Sequence, residues 1–480
     1  MNTPPTQNPP FPALRSLLLP FLAVLFLTSC RHGFAPSPTA VSLHVTRWVS
    51  STEASPWQEM PTPAPTSTDF SSDHLVTVDL ETRFQRIDGF GGCFNELGWD
   101  ALLALDDTQR ATALKALFDP ATGCGFTLGR MGMGANDFAL EWYSFDETPG
   151  DFAMKDFSIA RDKTHLIPYM KAAMKYQPNL AVWGTPWSPP TWMKTNGAYK
   201  GGRMKQDPQT LAAYAIYFSK YVQAYRAAGI NLYAIHPQNE PLYNTGNYPQ
   251  CAWSGTELDT FLRDYLLPQL KKDKVHVQVW LGTMVSGKLA DFTDPVLADP
   301  VTGPQITGVG YQYGGQGAIA ATHAKYPDKI MLQTETECYK GENTWTQAFT
   351  TFGKIATDLN NFANGYEFWN MILNEKSTST WGWKQNSLLK IDTQKKQIIY
   401  NPEFYALKHF SHFVPPGSYR VAATGSPVKN LSAFITPKRE LVVVFSNDTD
   451  NDLPISLYAN ARMTTITAPA KSMNTVVLGK

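Results

Sequence analysis

The chain has 480 residues with 41 basic and 41 acidic side chains, so it carries no formal net charge at neutral pH. That length holds one large domain and a smaller one, and nothing in the even charge balance suggests a nucleic-acid partner, which would want a basic stripe. Aromatic residues make up 12% of the chain, enough for a large core and for flat faces against which sugar rings can lie.

In chain order, the first segment reads as an export signal. Residues 17–27 form an apolar run behind Arg15, too short for a stable membrane span. The run ends in Leu27-Thr28-Ser29-Cys30, which resembles the bacterial lipobox, whose cysteine becomes the lipid-carrying first residue of the mature protein. Cys30 is therefore the expected lipidation site, with residues 1–30 as signal and 31–40 as a proline-bearing tether. The resemblance implies an exported, membrane-anchored lipoprotein. Arg31, where an aspartate would favour the inner membrane, points to the outer membrane. The other cysteines, Cys93, Cys124, Cys251 and Cys338, match no zinc-ligand spacing, and their pairing is open.

Residues 41–46 and 74–80 alternate as strands do, with a loop rich in Pro, Ser and Thr at 56–71. From 84 to 412 short apolar strands alternate with helical stretches. Eight strands are predicted, at 85–91, 126–131, 180–183, 230–235, 275–281, 308–311, 330–332 and 366–371. One intervening helix is legible in detail. Asp207 caps it and Pro208 takes its first position. Leu211, Ala215, Phe218, Val222 and Tyr225 share one face, and Gly229 ends it. Eight strands alternating with helices predict a (β/α)8 TIM barrel, an α/β fold. Beyond Pro415-Pro416-Gly417 the helical period disappears, and strands are predicted at 431–435, 441–445, 455–458, 464–467 and 475–478. This tail is short for a large sandwich by itself. Residues 41–83 and 413–480 together are expected to form an appended all-β sandwich built from both chain ends.

Barrel strands present reactive groups at their carboxyl ends. The fourth predicted strand runs into His236-Pro237-Gln238-Asn239-Glu240-Pro241, where the proline fixes the backbone and stops pairing. The seventh runs into Gln333-Thr334-Glu335. Glu240 and Glu335 lie 95 positions apart, and two carboxylates from separate strand ends are what glycoside hydrolysis needs. Glu337 shares a strand face with Glu335 and rivals it on spacing alone. Other strand ends supply Gly89-Phe90-Gly91-Gly92, Arg130 with Asp137 nearby, Trp187, Tyr311-Gln312-Tyr313 and Trp369-Asn370. His236 has no evident companion ligands, so neither metal nor cofactor is expected.

Gly89-Phe90-Gly91-Gly92, Trp187-Ser188-Pro189-Pro190-Thr191-Trp192-Met193-Lys194-Thr195-Asn196-Gly197 and Asn239-Glu240-Pro241 resemble family thirty of the glycoside hydrolases, which contains lysosomal glucosylceramidase and microbial endo-β-1,6-glucanases. The similarity runs from about residue 84 through the C-terminal β-domain. It implies a retaining β-glycosidase with Glu240 as acid/base. Glu335 keeps the family's register of an apolar triplet, two further residues and the nucleophilic glutamate; Glu337 falls two residues late. The resemblance also implies that Asn239 bonds the sugar 2-hydroxyl, that Arg130 keeps Glu335 ionised, and that Asp137 grips outer hydroxyls. Trp187 and Trp369 would wall the same subsite, with Tyr313 beside the nucleophile. Tyr311 replaces a histidine of glucosylceramidase, which leans the expected aglycone away from ceramide. The expected substrate is a β-linked glucoside, cleaved by a β-1,6-glucanase or β-glucosidase. The alternatives are a glucosylceramidase and a non-catalytic glycan-binding surface lipoprotein that lacks one working acid. Loops after Trp192, at 244–253 and at 376–384 are expected to set linkage. Expected partners are a carbohydrate or glycolipid substrate and, through Cys30, a membrane, with no nucleic acid.

Overall fold

The computed structural model describes residues 44–63, 74–336 and 338–479. Cys30, the signal and tether, residues 41–43 and Glu337 lie outside the described residues.

Eight parallel strands close a barrel: Gly89–Phe94, Leu128–Gly132, Ala181–Thr185, Ala234–Ile235, Gln278–Met284, Ile306–Gln312, Ile330–Glu335 and Gly365–Asn370, barrel strands 1 to 8 in that order. Strand 8 returns to pair with strand 1. The glycine run of strand 1 is what lets it sit between its neighbours. A Cβ on Gly91 would lie 1.9 Å from the Leu128 carbonyl oxygen, and one on Gly92 2.7 Å from that of Phe368. Alternate side chains fill the interior in layers. His236 is stacked between Trp183 (ring centroids 3.9 Å apart) and Trp280 (5.4 Å), and Leu128, Ala234 and Leu332 complete that packing. Helix Pro208–Ala227 forms as its sequence dictates: the Asp207 carboxylate accepts from the Thr210 N–H at 2.9 Å, and Gly229 turns the chain with φ +86°.

The largest departures from expectation are at the starts of three strands, each because a neighbour claims the backbone first. Gln85 and Arg86 end a longer strand, Leu75–Arg86, of the other sheet, so strand 1 starts at Gly89. Strand 4 is only two residues long although 230–235 is apolar, because the Ile230 N–H returns to Tyr225 of the preceding helix. Strand 5 starts at Gln278 because the Val275 N–H closes its helix onto Leu270.

The second sheet has nine strands in the order Arg462–Ala468, Leu453–Ala459, Leu75–Arg86, Tyr419–Gly425, Lys429–Ile435, Leu441–Asn447, Ser472–Gly479, His44–Ser51 and Gln58–Glu59. Both chain ends contribute, as expected. Val76, Val443, Phe445, Ile455, Ile466 and Val476 meet in one core, so the sheet folds over on itself as a sandwich. Leu441–Asn447 and Ser472–Gly479 are buried throughout. Val443 and Val476 face the sandwich core, whereas Val442, Val444 and Val477 face the barrel's core together with Phe434. His409, on helix Pro402–Ser411, ties the two units between Thr475 (2.8 Å) and Ser51 (2.9 Å). The Thr475 hydroxyl donates to the His409 carbonyl, so the ring Nδ1–H donates to Thr475 and Nε2 accepts from Ser51. Tyr419–Gly425 escapes sequence reading because a charged residue sits inside it: Arg420 lies 3.8 Å over the Phe84 ring and donates to Gln85. Cys93, Cys124, Cys251 and Cys338 are all buried, and no disulfide joins them to one another.

Because the sandwich shares its core with the barrel, the two should unfold together. Phe434→Ala should cost about 3–5 kcal/mol and lower the midpoint of one calorimetric transition. Two separate transitions in the unsubstituted protein would contradict this.

Candidate active site

At the carboxyl end of the barrel a cavity of about 230 Å³ is lined by Glu240 and Glu335, by Asp137 and Asn239, and by the rings of Trp187 and Tyr313. Tyr243, Tyr248, Trp383 and Gln385 form the rest of its wall. Glu240 follows the two-residue strand 4 and takes φ +44°, a left-handed conformation costly for a side-chain-bearing residue. The surrounding bonds hold it there: the Glu240 N–H donates to the Thr283 carbonyl at 3.1 Å, and the Tyr243 N–H donates to the Glu240 carbonyl at 3.0 Å. Glu335 is the last residue of strand 7.

Arg130, on strand 2, organises the floor. It is wholly buried. Its Nη1 donates to Glu335 Oε2 at 2.6 Å and its Nη2 to Asn239 Oδ1 at 2.5 Å. The rings of Trp187, Trp369 and Trp183 lie 4.6, 5.0 and 5.3 Å from its guanidinium carbon. Tyr313 donates to the other Glu335 oxygen at 2.7 Å. Asn239 Oδ1 also accepts from Thr283 Oγ1 at 2.9 Å. With its oxygen occupied, the Asn239 amide turns its NH2 outward as a donor. Glu240 receives neutral donors only: Tyr248 OH on Oε2, and Gln312 Nε2 on Oε1 at 2.8 Å.

These unequal surroundings separate the two acids. Burial, followed by the negative charge of Glu335, pushes the Glu240 carboxyl up to about 7. Burial raises Glu335 as well, but the Arg130 charge and the bonds from Tyr313 and Arg130 pull it back. The pair therefore holds its first proton on Glu240. Asp137 is raised well above the carboxylate range, by burial first and by the two glutamates next, and its Oδ1 is buried without a partner. Beneath the site Glu367 accepts from the Trp183 indole N–H at 3.0 Å, and burial pushes it up to about 8.

The structure thus brings Glu240, Glu335, Asn239, Arg130, Asp137, Trp187, Tyr313 and Trp369 into one site, the last two rings packing with Trp187 and Cys338. Tyr311 is elsewhere: its hydroxyl bonds Thr293 and Thr322, away from the cavity, and the inward neighbour is Gln312. Trp192 and Trp253 brace loops, donating to the Asp146 carbonyl and to Gln238. His236 is an aromatic filler that burial keeps neutral. Sequence reasoning missed Gln312, Tyr248, Gln385 and Glu367 as site residues. Gln312 stood between two named tyrosines, and Tyr248 and Trp383 lie in two of the three loops expected to set linkage.

The glycosyl hydrolase family 30 TIM-barrel domain matches residues 87–414, and the glycosyl hydrolase family 30 beta sandwich domain matches residues 417–476. Among known proteins, the chain is 29% identical over 431 residues to putative glucosylceramidase 3 of Caenorhabditis elegans, covering 84% of this chain and 82% of that one. It is 28% identical over 437 residues to an endo-1,6-beta-D-glucanase of Trichoderma harzianum, covering 84% and 85%. In fold it is similar to SrfJ from Salmonella typhimurium, with a TM-score of 0.85 at 24% identity over 90% of this chain and 99% of that one.

The proton held by Glu240 has a consequence for stability. Its folded carboxyl titrates at about 7, whereas an unfolded glutamate titrates near ~4.3. Between those values the folded state binds more protons, so stability falls as pH rises and the loss is complete above about 7. Glu240→Gln removes this loss. It should raise stability at pH 8 by about 3–4 kcal/mol relative to its effect at pH 4, read from urea midpoints. Equal effects at both pH values would refute the assignment.

Proposed function

Because the chain belongs to glycosyl hydrolase family 30 and is a glycoside hydrolase, we propose that it cleaves β-linked glucosides with retention, as a β-1,6-glucanase or β-glucosidase. The observation that carries this reading is the contrast between the two acids of one cavity. Glu335 has a guanidinium at 2.6 Å and Glu240 has none. Glu335 is the nucleophile that attacks the anomeric carbon, while Glu240 gives its proton to the departing oxygen. Once Glu335 is an ester its charge is gone, and with it the repulsion that raised Glu240. The Glu240 pKa then falls, and the same carboxylate takes a proton from the incoming water. Asn239, Asp137, Trp187 and Trp369 hold the sugar, and Arg130 and Tyr313 hold Glu335.

A second reading, a glucosylceramidase, is favoured by one feature of the rim. Tyr243 and Trp383, which line the cavity, stand exposed by 40 and 38%, and Leu242, next to Tyr243 in sequence, by 52%, an apolar lip that suits a lipid aglycone as well as a second sugar ring. Product release from β-1,6-glucan, β-1,3-glucan, a xylan and glucosylceramide separates the readings. Release from β-1,6-glucan with initial β-anomer supports the first, release from glucosylceramide alone selects the second, and an initially inverted product overturns retention. The roles of the acids separate with an activated aryl glucoside. Glu335→Gln should lose all turnover, whereas Glu240→Gln should regain it with azide and yield the β-glycosyl azide. Rescue to the β-azide in the Glu335 variant instead would reverse the roles.

Export and anchoring through Cys30 belong to the same proposal, supported by the apolar run that ends in Leu27-Thr28-Ser29-Cys30. Cys30→Ser should move the protein out of the membrane fraction. Unchanged fractionation would show that this cysteine carries no anchor.

A further inference from the structure

Gln385 lines the catalytic cavity but is only 8% exposed. Its amide has a determined orientation, and the reason lies two residues away in space. Asn95 caps helix Glu96–Leu103, and its Oδ1 accepts from the Gly98 N–H at 2.7 Å. A backbone N–H can only donate, so the Asn95 NH2 must face the other way. It donates to Asn370 Oδ1 at 3.0 Å. The Asn370 NH2 must then face Gln385, and it donates to Gln385 Oε1 at 2.8 Å and to the Asn386 carbonyl at 3.4 Å. That second, longer contact agrees with the same sense. The Gln385 NH2 is left over, and no group among the described residues accepts from it. A buried amide with its oxygen taken and its NH2 free presents a donor to whatever fills the cavity.

The other wall supplies the complement. Asp137 Oδ1 is buried and unpartnered, a carboxyl oxygen with free lone pairs to accept a hydrogen bond. The loops bearing the two residues are joined, since Thr380 Oγ1 donates to the Ala139 carbonyl at 2.7 Å. A sugar hydroxyl both donates and accepts, so it satisfies an acceptor on one side and a donor on the other.

We infer that the amide relay Asn95–Asn370–Gln385 fixes Gln385 as a hydrogen-bond donor to one hydroxyl of the sugar ring bound in the cavity. Gln385 is a sugar-binding residue, and Asn95 and Asn370 are positioning residues that act through it. The inference rests on reading the cavity as a glycosidase site. It makes the N-cap of a helix outside the cavity a determinant of which sugar is accepted.

The test uses 4-nitrophenyl β-glucoside and its 2-, 3-, 4- and 6-deoxy analogues with the full-length protein and four variants. Gln385→Ala removes the donor. Asn95→Asp and Asn370→Asp each replace an NH2 in the relay by an oxygen, which turns the Gln385 amide so that its oxygen faces the sugar. The fourth variant combines Asn95→Asp with Gln385→Ala. Each single substitution should lower kcat/KM for the parent glucoside by about 10- to 100-fold, mainly through KM, with an unchanged pH profile. One deoxy analogue should lose a similar factor in the unsubstituted protein and lose little further in Gln385→Ala. The double variant should be no worse than its worse single, because Asn95 acts only through Gln385. Thermal midpoints identify a variant that has merely unfolded; Asn95→Asp keeps the capping oxygen and serves if Asn370→Asp does not fold. Deoxy penalties that are the same with and without the Gln385 side chain, or losses that multiply in the double variant, overturn the inference and leave the glycosidase reading standing. If the unsubstituted protein hydrolyses none of the aryl β-glycosides and releases nothing from β-1,6-glucan, β-1,3-glucan, a xylan or glucosylceramide, the glycosidase reading itself fails.

Discussion

The buried charge of Arg130 is the constraint on which the site depends. Taking a guanidinium out of water costs several kcal/mol unless an anion and hydrogen bonds replace the solvent. Glu335 supplies the anion at 2.6 Å, Asn239 a second acceptor, and three indole rings cover the faces. Satisfying the arginine therefore settles several things at once. It keeps Glu335 in place, it occupies the oxygen of Asn239, and it fixes Trp187 in the cavity wall with Trp369 packed behind it. It also commits this cation to one partner. Glu240, Asp137 and Glu367 sit in the same low-dielectric region, and each is pushed toward its protonated form.

The fold contributes position. Inward residues alternate along each strand, so Leu128 and Arg130 occupy successive layers of the interior, as Glu367 and Trp369 do on strand 8. The lower layer, Trp183, His236 and Trp280, is apolar and tightly stacked, a solid base under a polar top. The sandwich makes the barrel rigid from outside: two of its strands are buried on both faces, one side packing on its own core and the other on the barrel's.

Much of this was legible in the sequence, for identifiable reasons. The helix at 208–227 carries its own cap, proline and terminal glycine, all local signals. Asn239-Glu240-Pro241 announces itself because a proline ends the strand that delivers the acid. Local signals fail where the decision is made far away. The apolar stretch 230–235 yields a strand of two residues because the preceding helix takes the Ile230 N–H. Tyr311 and Gln312 are adjacent, and only the closed barrel decides that the glutamine faces the acids and the tyrosine faces the helices. Tyr248 and Gln385 reach the cavity from loops whose path depends on tertiary bonds, so neither has a sequence signature as a site residue. The nine-stranded sheet was partly hidden for a related reason, since Arg420 is tolerated inside it only because Phe84 and Gln85 receive its charge.

Glu240, Tyr243 and Tyr248 belong to one short segment. It begins at the acid, whose carbonyl holds the Tyr243 N–H; it places an exposed ring on the rim; and it returns to bond the acid through Tyr248, whose own ring leans on Trp383 at 5.2 Å. The shape of the cavity wall and the acidity of Glu240 are therefore coupled through one stretch of backbone: a change that moves Tyr243 also moves Tyr248, whose hydroxyl bond holds the Glu240 carboxyl below the value burial alone would give it.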